Sequence, residues 1–223
     1  MFSRRLSAIV VAIALCLVGA AFAPAASLAK EPILFVHGWS ESASAWNTMI
    51  ANFEKDGYAK SELSAYSYNT STSNKTTAET EVKSRVEALK KATGAAKVDI
   101  VAHSMGSLNS RWYVKFVAGG EANVDDWVSL GGPNHGTEFA NWCFSTACVE
   151  MRVGSKFLAE LNAGDETPGA VNYGTWWSPC DEIINPDSSV ALSGATNTKT
   201  ACISHAALRT DATVYSQVRE FVK

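Results

Sequence analysis

The sequence predicts an α/β fold in which a mostly parallel central sheet carries helices on both faces. Short apolar, β-branched runs such as residues 98–101 have the composition of strands that are buried on both sides. They alternate along the chain with segments whose apolar residues recur every three or four positions, as on one face of a helix. Because this alternation is typical of strand–helix–strand units, the sheet is expected to be parallel.

Residues 1–29 have the pattern of a secretory signal peptide. Arg4 and Arg5 form a positively charged n-region, and residues 6–22 are apolar apart from Ser7. Ser27-Leu28-Ala29 then fits the small-x-small cleavage rule. The apolar run is short for a membrane span. We therefore expect cleavage after Ala29, export, and a secreted single domain of residues 30–223.

The remaining elements follow in order. An apolar run predicts a first strand, and Trp46, Met49 and Phe53 predict the helix after it. Thr76 and Glu79 match a capping box, so a second helix is expected to start there. The predicted strands are 33–36, 63–68, 98–101, 127–130, 170–177 and 200–203, and the later helices are 105–117, 156–162 and a last one capped by Asp211.

The segment that matters most for chemistry is Ala102-His103-Ser104-Met105-Gly106. A buried strand precedes it and an amphipathic helix follows it, so Ser104 is placed on a sharp turn between the two. That context is typical of the G-x-S-x-G nucleophile elbow, with Ala102 in place of the first glycine. Ser104 is therefore the candidate nucleophile.

A serine nucleophile needs a base and an acid that orients the base. His37 and His103 lie in strand-end turns and are interpreted as structural, while His135 stays open. His205 alone leaves room for the chain order serine, acid, histidine. The candidate acids are Asp125, Asp126, Asp165, Asp181 and Asp187. Asp181 is favoured because it directly follows a predicted strand, as Ser104 and His205 do.

An attacking serine also needs hydrogen-bond donors for the oxyanion. The backbone N–H of Met105, the residue after the nucleophile, is the first candidate. The second is expected from the loop after the first strand, where His37-Gly38-Trp39 lies, and we choose the N–H of Trp39.

Four cysteines remain after residue 29, and an even number in an exported chain predicts two disulfides. Three pairings are open. Cys180–Cys202 is favoured because it would hold the loop of Asp181 against the loop of His205, and it leaves Cys143–Cys148 as a tight loop. Zinc binding is discounted because the spacing lacks a C-x-x-C pair.

Several segments resemble the small secreted bacterial triacylglycerol lipases of the α/β-hydrolase superfamily, such as lipase A of bacilli and related actinobacterial lipases. The matching segments are Val36-His37-Gly38, the run from Val98 to Gly106, Leu130-Gly131-Gly132, Cys180-Asp181-Glu182-Ile183-Ile184 and Ile203-Ser204-His205. The resemblance implies an α/β-hydrolase fold, Ser104, Asp181 and His205 as catalytic residues, and Trp39 and Met105 as oxyanion donors. Acyl transfer through these three residues requires neither a metal nor a cofactor.

The predicted activity is hydrolysis of carboxylic esters, with acylglycerols as the expected substrate class and a transient contact with the lipid interface. An acyltransferase with the same catalytic residues and a non-catalytic binding module are the alternatives. Without Arg4 and Arg5 the chain has 17 basic and 22 acidic residues. This acidic balance gives no electrostatic basis for nucleic-acid binding. We expect the mature chain to be a monomer.

Overall fold

The computed structural model describes residues 30–223, and its centre is one six-stranded sheet. The strand order is β2-β1-β3-β4-β5-β6, and all neighbouring strands are parallel. The strands are β1 Ile33–Val36, β2 Leu63–Ala65, β3 Val98–His103, β4 Val124–Leu130, β5 Asn172–Trp177 and β6 Thr196–Lys199. Because the strands are parallel, all their carboxyl ends lie at one edge of the sheet.

Helices cover both faces of this sheet. They are α1 Asn47–Lys55, α2 Asn74–Thr77, α3 Lys83–Thr93, α4 Gly106–Phe116, α5 Gly120–Asn123, α6 Thr146–Glu150, α7 Lys156–Leu161 and α8 Ala212–Phe221. A π-helical segment, Ala78–Val82, joins α2 to α3. Gly94 ends α3 in the left-handed conformation, and Asp211 caps α8 by accepting the N–H groups of Thr213 and Val214.

The alternation of side chains along a strand divides the core into two layers. In β1, Ile33 and Phe35 pack into the layer that contains side chains of α1 and α8. Leu34 and Val36 point to the opposite face, into the layer that contains side chains of α3 and α4. Strands of this kind are buried on both sides, which explains why they read as continuous apolar runs.

Several predicted boundaries are wrong, among them the start of β4, which is Val124 rather than residue 127. The second helix begins at Asn74 rather than at a Thr76 capping box, because Ser73 caps it and Glu150 accepts the Asn74 N–H at 2.7 Å. The strand predicted at 63–68 ends at Ala65. The last strand is 196–199 rather than 200–203, because an edge strand with solvent on one side is polar and gives no apolar signal.

The predicted signal peptide and its cleavage site lie outside the described residues. Within residues 30–223, every helix is too short or too polar to cross a bilayer.

Candidate active site

Ser104 lies on a strained turn between β3 and α4. Its φ angle is +53°, in the left-handed region that residues other than glycine rarely adopt. Such strain costs about 1–3 kcal/mol and persists where the surrounding structure imposes it. Here a Cβ on Gly38 would lie 2.8 Å from the Ser104 Cβ, and one on Gly106 would lie 2.4 Å from the Val36 carbonyl oxygen. Both glycines are therefore required for the close approach of the β1 loop to the elbow.

His205 and Asp181 lie together at the same edge of the sheet. The His205 Nδ1–H donates to Asp181 Oδ2 at 2.8 Å, which leaves Nε2 as the basic nitrogen. Asp181 Oδ1 accepts the N–H groups of Ile183 and Ile184, each at 2.9 Å. Burial opposes ionisation of Asp181, but the hydrogen bond and charge of His205, helped by these two N–H groups, hold the pKa of the carboxyl below its ordinary value. Asp181 is therefore a buried carboxylate that orients an imidazole.

The two predicted oxyanion donors, Trp39 and Met105, have backbone amides close to Ser104 in the chain or in space. Trp39 follows Gly38 in the loop after β1, and Met105 directly precedes α4. Within residues 30–223, neither the Trp39 nor the Met105 N–H donates to another backbone carbonyl. Met105 also lies at a helix N-terminus, where the helix dipole favours negative charge.

Trp39, Ser104 and His205 line one cavity of about 240 Å³. Its lining combines polar side chains, among them Ser104 and His205, with a larger apolar surface. The lining residues are Trp39, Ser40, Glu41, His103, Ser104, Thr137, Phe139, Met151, Ile183, Ile184 and His205. The long connection between β4 and β5 supplies Thr137, Phe139 and Met151, so that connection forms part of the cavity as its position after a strand suggests.

The sequence matches the family model described as lipase (class 2) over residues 30–220. The chain belongs to the class 2 lipase family. Its family makes it a carboxylic ester hydrolase, and the predicted family resemblance and enzyme class are confirmed.

Solved structures show the same fold at low sequence identity. The mature Bacillus licheniformis lipase BlEst2 matches with a TM-score of 0.77 at 19% identity, over 88% of this chain and 94% of that one. Aspergillus fumigatus lipase B matches with a TM-score of 0.74 at 17% identity, over 85% of this chain and 51% of that one, so this lipase spans about half its length. The metagenomic carboxyl esterase MGS0156 gives 0.66 at 13%, over 79% and 65%. The predicted α/β-hydrolase fold is confirmed.

The other candidate bases and acids of this lipase are not part of the His205–Asp181 pair. His135 Nε2 is 2.7 Å from Glu166 Oε1, and His135 does not line the cavity. His37 stacks on the Tyr68 ring, with centroids 4.3 Å apart, which fits its structural interpretation. Asp165 is exposed, and Asp187 starts a 3₁₀ helix, Asp187–Val190.

Asp125 and Asp126 lie within the first residues of β4 rather than before it, but still at the amino edge of the sheet. With Asp99 they form a group whose oxygens lie within 4.8 Å of one another. These carboxylates already have partners, since Asp99 accepts the Asp126 N–H and Lys97 pairs with Asp125 at 2.7 Å. Burial and the charge of Asp126 raise the pKa of Asp99, and burial raises the pKa of Asp126 to about 6. The group is remote from Ser104 and has no part in chemistry there.

Both favoured disulfides are present in this lipase. The Cα atoms of Cys180 and Cys202 are 4.9 Å apart, and those of Cys143 and Cys148 are 5.9 Å apart. The Cys180–Cys202 bond joins the loops that carry Asp181 and His205.

Sequence reasoning missed two further links between these loops. The Ser178 hydroxyl donates to the Ile203 carbonyl oxygen at 2.6 Å and accepts the Ile203 N–H at 3.0 Å. Glu182 Oε2 accepts the His205 N–H at 3.0 Å. Isolated serine and glutamate residues in loops have no spacing that predicts such roles, and only the fold brings them together.

Opening the Cys180–Cys202 bond with Cys180→Ala/Cys202→Ala is expected to lower kcat roughly tenfold. The Ser178 and Glu182 links remain, but small misplacements of catalytic groups are costly. Unfolding free energy should fall by about 3 kcal/mol, as the chain-entropy model gives for a loop of this length. Steady-state kinetics and urea titration measure the two effects. Cys143→Ala/Cys148→Ala is the matched control, and a larger loss of kcat there would contradict the argument.

Proposed function

We propose that this chain is a secreted serine hydrolase that cleaves fatty-acid esters, acylglycerols above all, through Ser104, His205 and Asp181. The observation that carries the proposal is that His205, paired with Asp181 at 2.8 Å, lines the same largely apolar cavity as a strained serine. Two backbone amides that donate to no backbone carbonyl lie beside that serine. This combination of nucleophile, oriented base and anion site is what acyl transfer requires.

The reaction follows from the placement of these groups. Ser104 Oγ attacks the ester carbonyl carbon while His205 Nε2 accepts its proton, and the Trp39 and Met105 N–H groups stabilise the oxyanion. Collapse breaks the ester C–O bond, and the alcohol leaves with the proton from His205. Water, deprotonated by His205, then attacks the acyl-enzyme and releases the fatty acid and the free serine.

The test combines substrate profiling with covalent labelling. Purified protein is expected to hydrolyse p-nitrophenyl esters and emulsified triacylglycerols, and a p-nitrophenyl phosphonate should modify Ser104, as read by peptide mass spectrometry. Folded protein that neither reacts with the phosphonate nor hydrolyses any ester would instead be a binding module. Ester products that dominate over free acid when an alcohol is added would favour the acyltransferase alternative.

The two disulfides support the proposed export, because such bonds persist in oxidising compartments. N-terminal sequencing of protein recovered from culture medium should begin at Lys30. Recovery of the protein in the cell fraction alone would contradict secretion.

Contact with a lipid surface is supported by an aromatic rim, defined here as Phe139, Trp142 and Phe144. Trp142 and Phe144 are 84% and 82% exposed, and Phe139 is part of the cavity wall. Large apolar side chains that are exposed together on a soluble protein mark interaction surfaces. Since the rim continues into the cavity, a lipid surface that covers it would deliver ester groups to Ser104.

Trp142→Ser/Phe144→Ser is therefore expected to lower hydrolysis of emulsified triacylglycerol roughly tenfold, because the burial of two aromatic rings in lipid is lost. Hydrolysis of monomeric p-nitrophenyl acetate should stay within twofold of the unmodified protein. Both rates are read by pH-stat and absorbance. The control is Phe116→Ser, which removes a 45% exposed ring at the far end of α4. Equal losses on the two substrates would argue against interface binding.

A further inference from the structure

Glu41 is a partly buried carboxylate in the loop after β1 that the proposed reaction does not use. Its Oε2 accepts the Gly38 N–H at 2.9 Å and lies 3.3 Å from His103 Nδ1. Its Oε1 pairs with Arg209 at 2.8 Å, and the Arg209 side chain is 11% exposed. Burial alone would raise its pKa, but the Arg209 guanidinium and the Gly38 N–H hold the pKa of the Glu41 carboxyl below its ordinary value. Glu41 is thus an anion in contact with three parts of the chain.

The first of these parts is the loop that carries one oxyanion donor. Gly38 directly precedes Trp39, and Ser40 after it has a φ angle of +56°, so the loop has a strained backbone. Strained conformations persist only where neighbouring contacts impose them. The hydrogen bond from the Gly38 N–H to Glu41 closes this short loop on itself, next to the Trp39 amide.

The second part is the segment that carries the base. Arg209 ends the 3₁₀ helix Ala206–Arg209, which starts directly after His205, and it also donates to the Ala45 carbonyl oxygen at 3.1 Å. The ion pair therefore connects the segment after His205 with the loop of Trp39. A carboxylate and a guanidinium in a partly desolvated site hold each other in a defined geometry.

The third part is the elbow itself. His103 precedes Ser104, and its Nε2–H donates to the His205 carbonyl oxygen at 3.0 Å, with ring centroids 4.4 Å apart. Burial, and the neighbouring charge of His205, lower the pKa of His103 to about 4, so the ring is neutral at pH 7. Its one proton is on Nε2, and Nδ1 therefore packs against Glu41 without donating to it. His103 thus fills the space between Glu41 and His205 and fixes the backbone on which the base is carried.

We propose that Glu41 is a positioning residue whose ion pair with Arg209 fixes the oxyanion donor Trp39 relative to the base His205. The proposal rests on the proposed serine mechanism. It assigns to Glu41 no contact with the reacting atoms. Loss of the ion pair should appear in kcat rather than in KM. A displaced donor or base stabilises the transition state less, whereas it changes the binding of the ester little.

The test compares Glu41→Gln, Arg209→Met and the double variant with an exposed ion pair as control. Glu41→Gln is expected to lower kcat on a soluble p-nitrophenyl ester roughly 10- to 100-fold, with KM and circular dichroism little changed. The rate of phosphonate labelling should fall in parallel. The control is Asp56→Asn/Arg219→Met, which removes a 2.9 Å surface pair remote from the cavity. It should leave kcat within twofold.

The double variant separates positioning from stability. Removing one partner leaves a buried charge unpaired and lowers the unfolding midpoint, whereas removing both relieves that penalty. Glu41→Gln/Arg209→Met should therefore recover most of the unfolding midpoint and still show the low kcat. Recovery of wild-type kcat in the double variant, or a Glu41→Gln kcat within twofold of wild type, would overturn the proposal. Ser104→Ala distinguishes failure of this proposal from failure of the proposed serine mechanism. If Ser104→Ala keeps activity, the serine mechanism itself is wrong.

Discussion

Ser104→Ala is expected to lower ester turnover by roughly six orders of magnitude, as the loss of the nucleophile does in other serine triads. The fold should be unaffected, because alanine adopts the same left-handed turn at the same cost and the Ser104 side chain is not part of the core. Turnover on a p-nitrophenyl ester, circular dichroism and the thermal midpoint measure these effects. Phosphonate labelling should also disappear.

Ser40→Ala is the matched control for this variant. Ser40 also lines the cavity, and its φ angle of +56° is close to that of Ser104. Its replacement should leave turnover within a few-fold, because it has no place in the proposed reaction. If folded Ser104→Ala kept more than a few per cent of the activity, the nucleophile would have to be another residue.

The proximity of Ser104 and Asp181 was predictable because both follow strands, whereas the strand predicted directly before His205 is wrong. Residues at the carboxyl ends of parallel strands converge on one edge of the sheet, whatever their separation in the sequence. Ser104 follows β3, and Asp181 lies four residues after the end of β5. An apolar strand followed by a polar residue is visible in the sequence. The approach of Asp181 to His205 was predicted in addition from Cys180 and Cys202, which lie beside them in the sequence.

The supporting contacts were not predictable, for a physical reason. Glu41, Ser178 and Glu182 lie in loops, and each gains its role from a partner far away in the sequence, such as Arg209 for Glu41. A single charged or hydroxyl residue in a loop is most often solvated, so its type carries no information about such a partner. The Thr76 capping box fails for the same reason, since Ser73 and the distant Glu150 decide where α2 begins.

Polar edge strands are a second source of error. β6 has the sequence Thr-Asn-Thr-Lys and pairs on one side only, with β5. The apolar composition and the recurrence of apolar residues that identify buried strands are absent there, because one side of the strand faces solvent. The apolar residues of the predicted strand at 200–203 belong instead to the turn that carries Cys202 and leads to His205.

Asp181→Ala is expected to lower ester turnover by about four orders of magnitude, because His205 loses the group that fixes its tautomer and stabilises its charged form. The N–H groups of Ile183 and Ile184 lose their acceptor as well, so the acid loop should also lose some stability. Asp181→Asn therefore complements the alanine variant: it keeps an acceptor for these amides but removes the charge. Its turnover should still be low while its thermal midpoint stays close to that of the unmodified protein. Steady-state kinetics and differential scanning calorimetry measure both. Asp187→Ala, in the same stretch of chain but away from His205, is the control and should cost little activity; a reversal of the two losses would make Asp187 the acid.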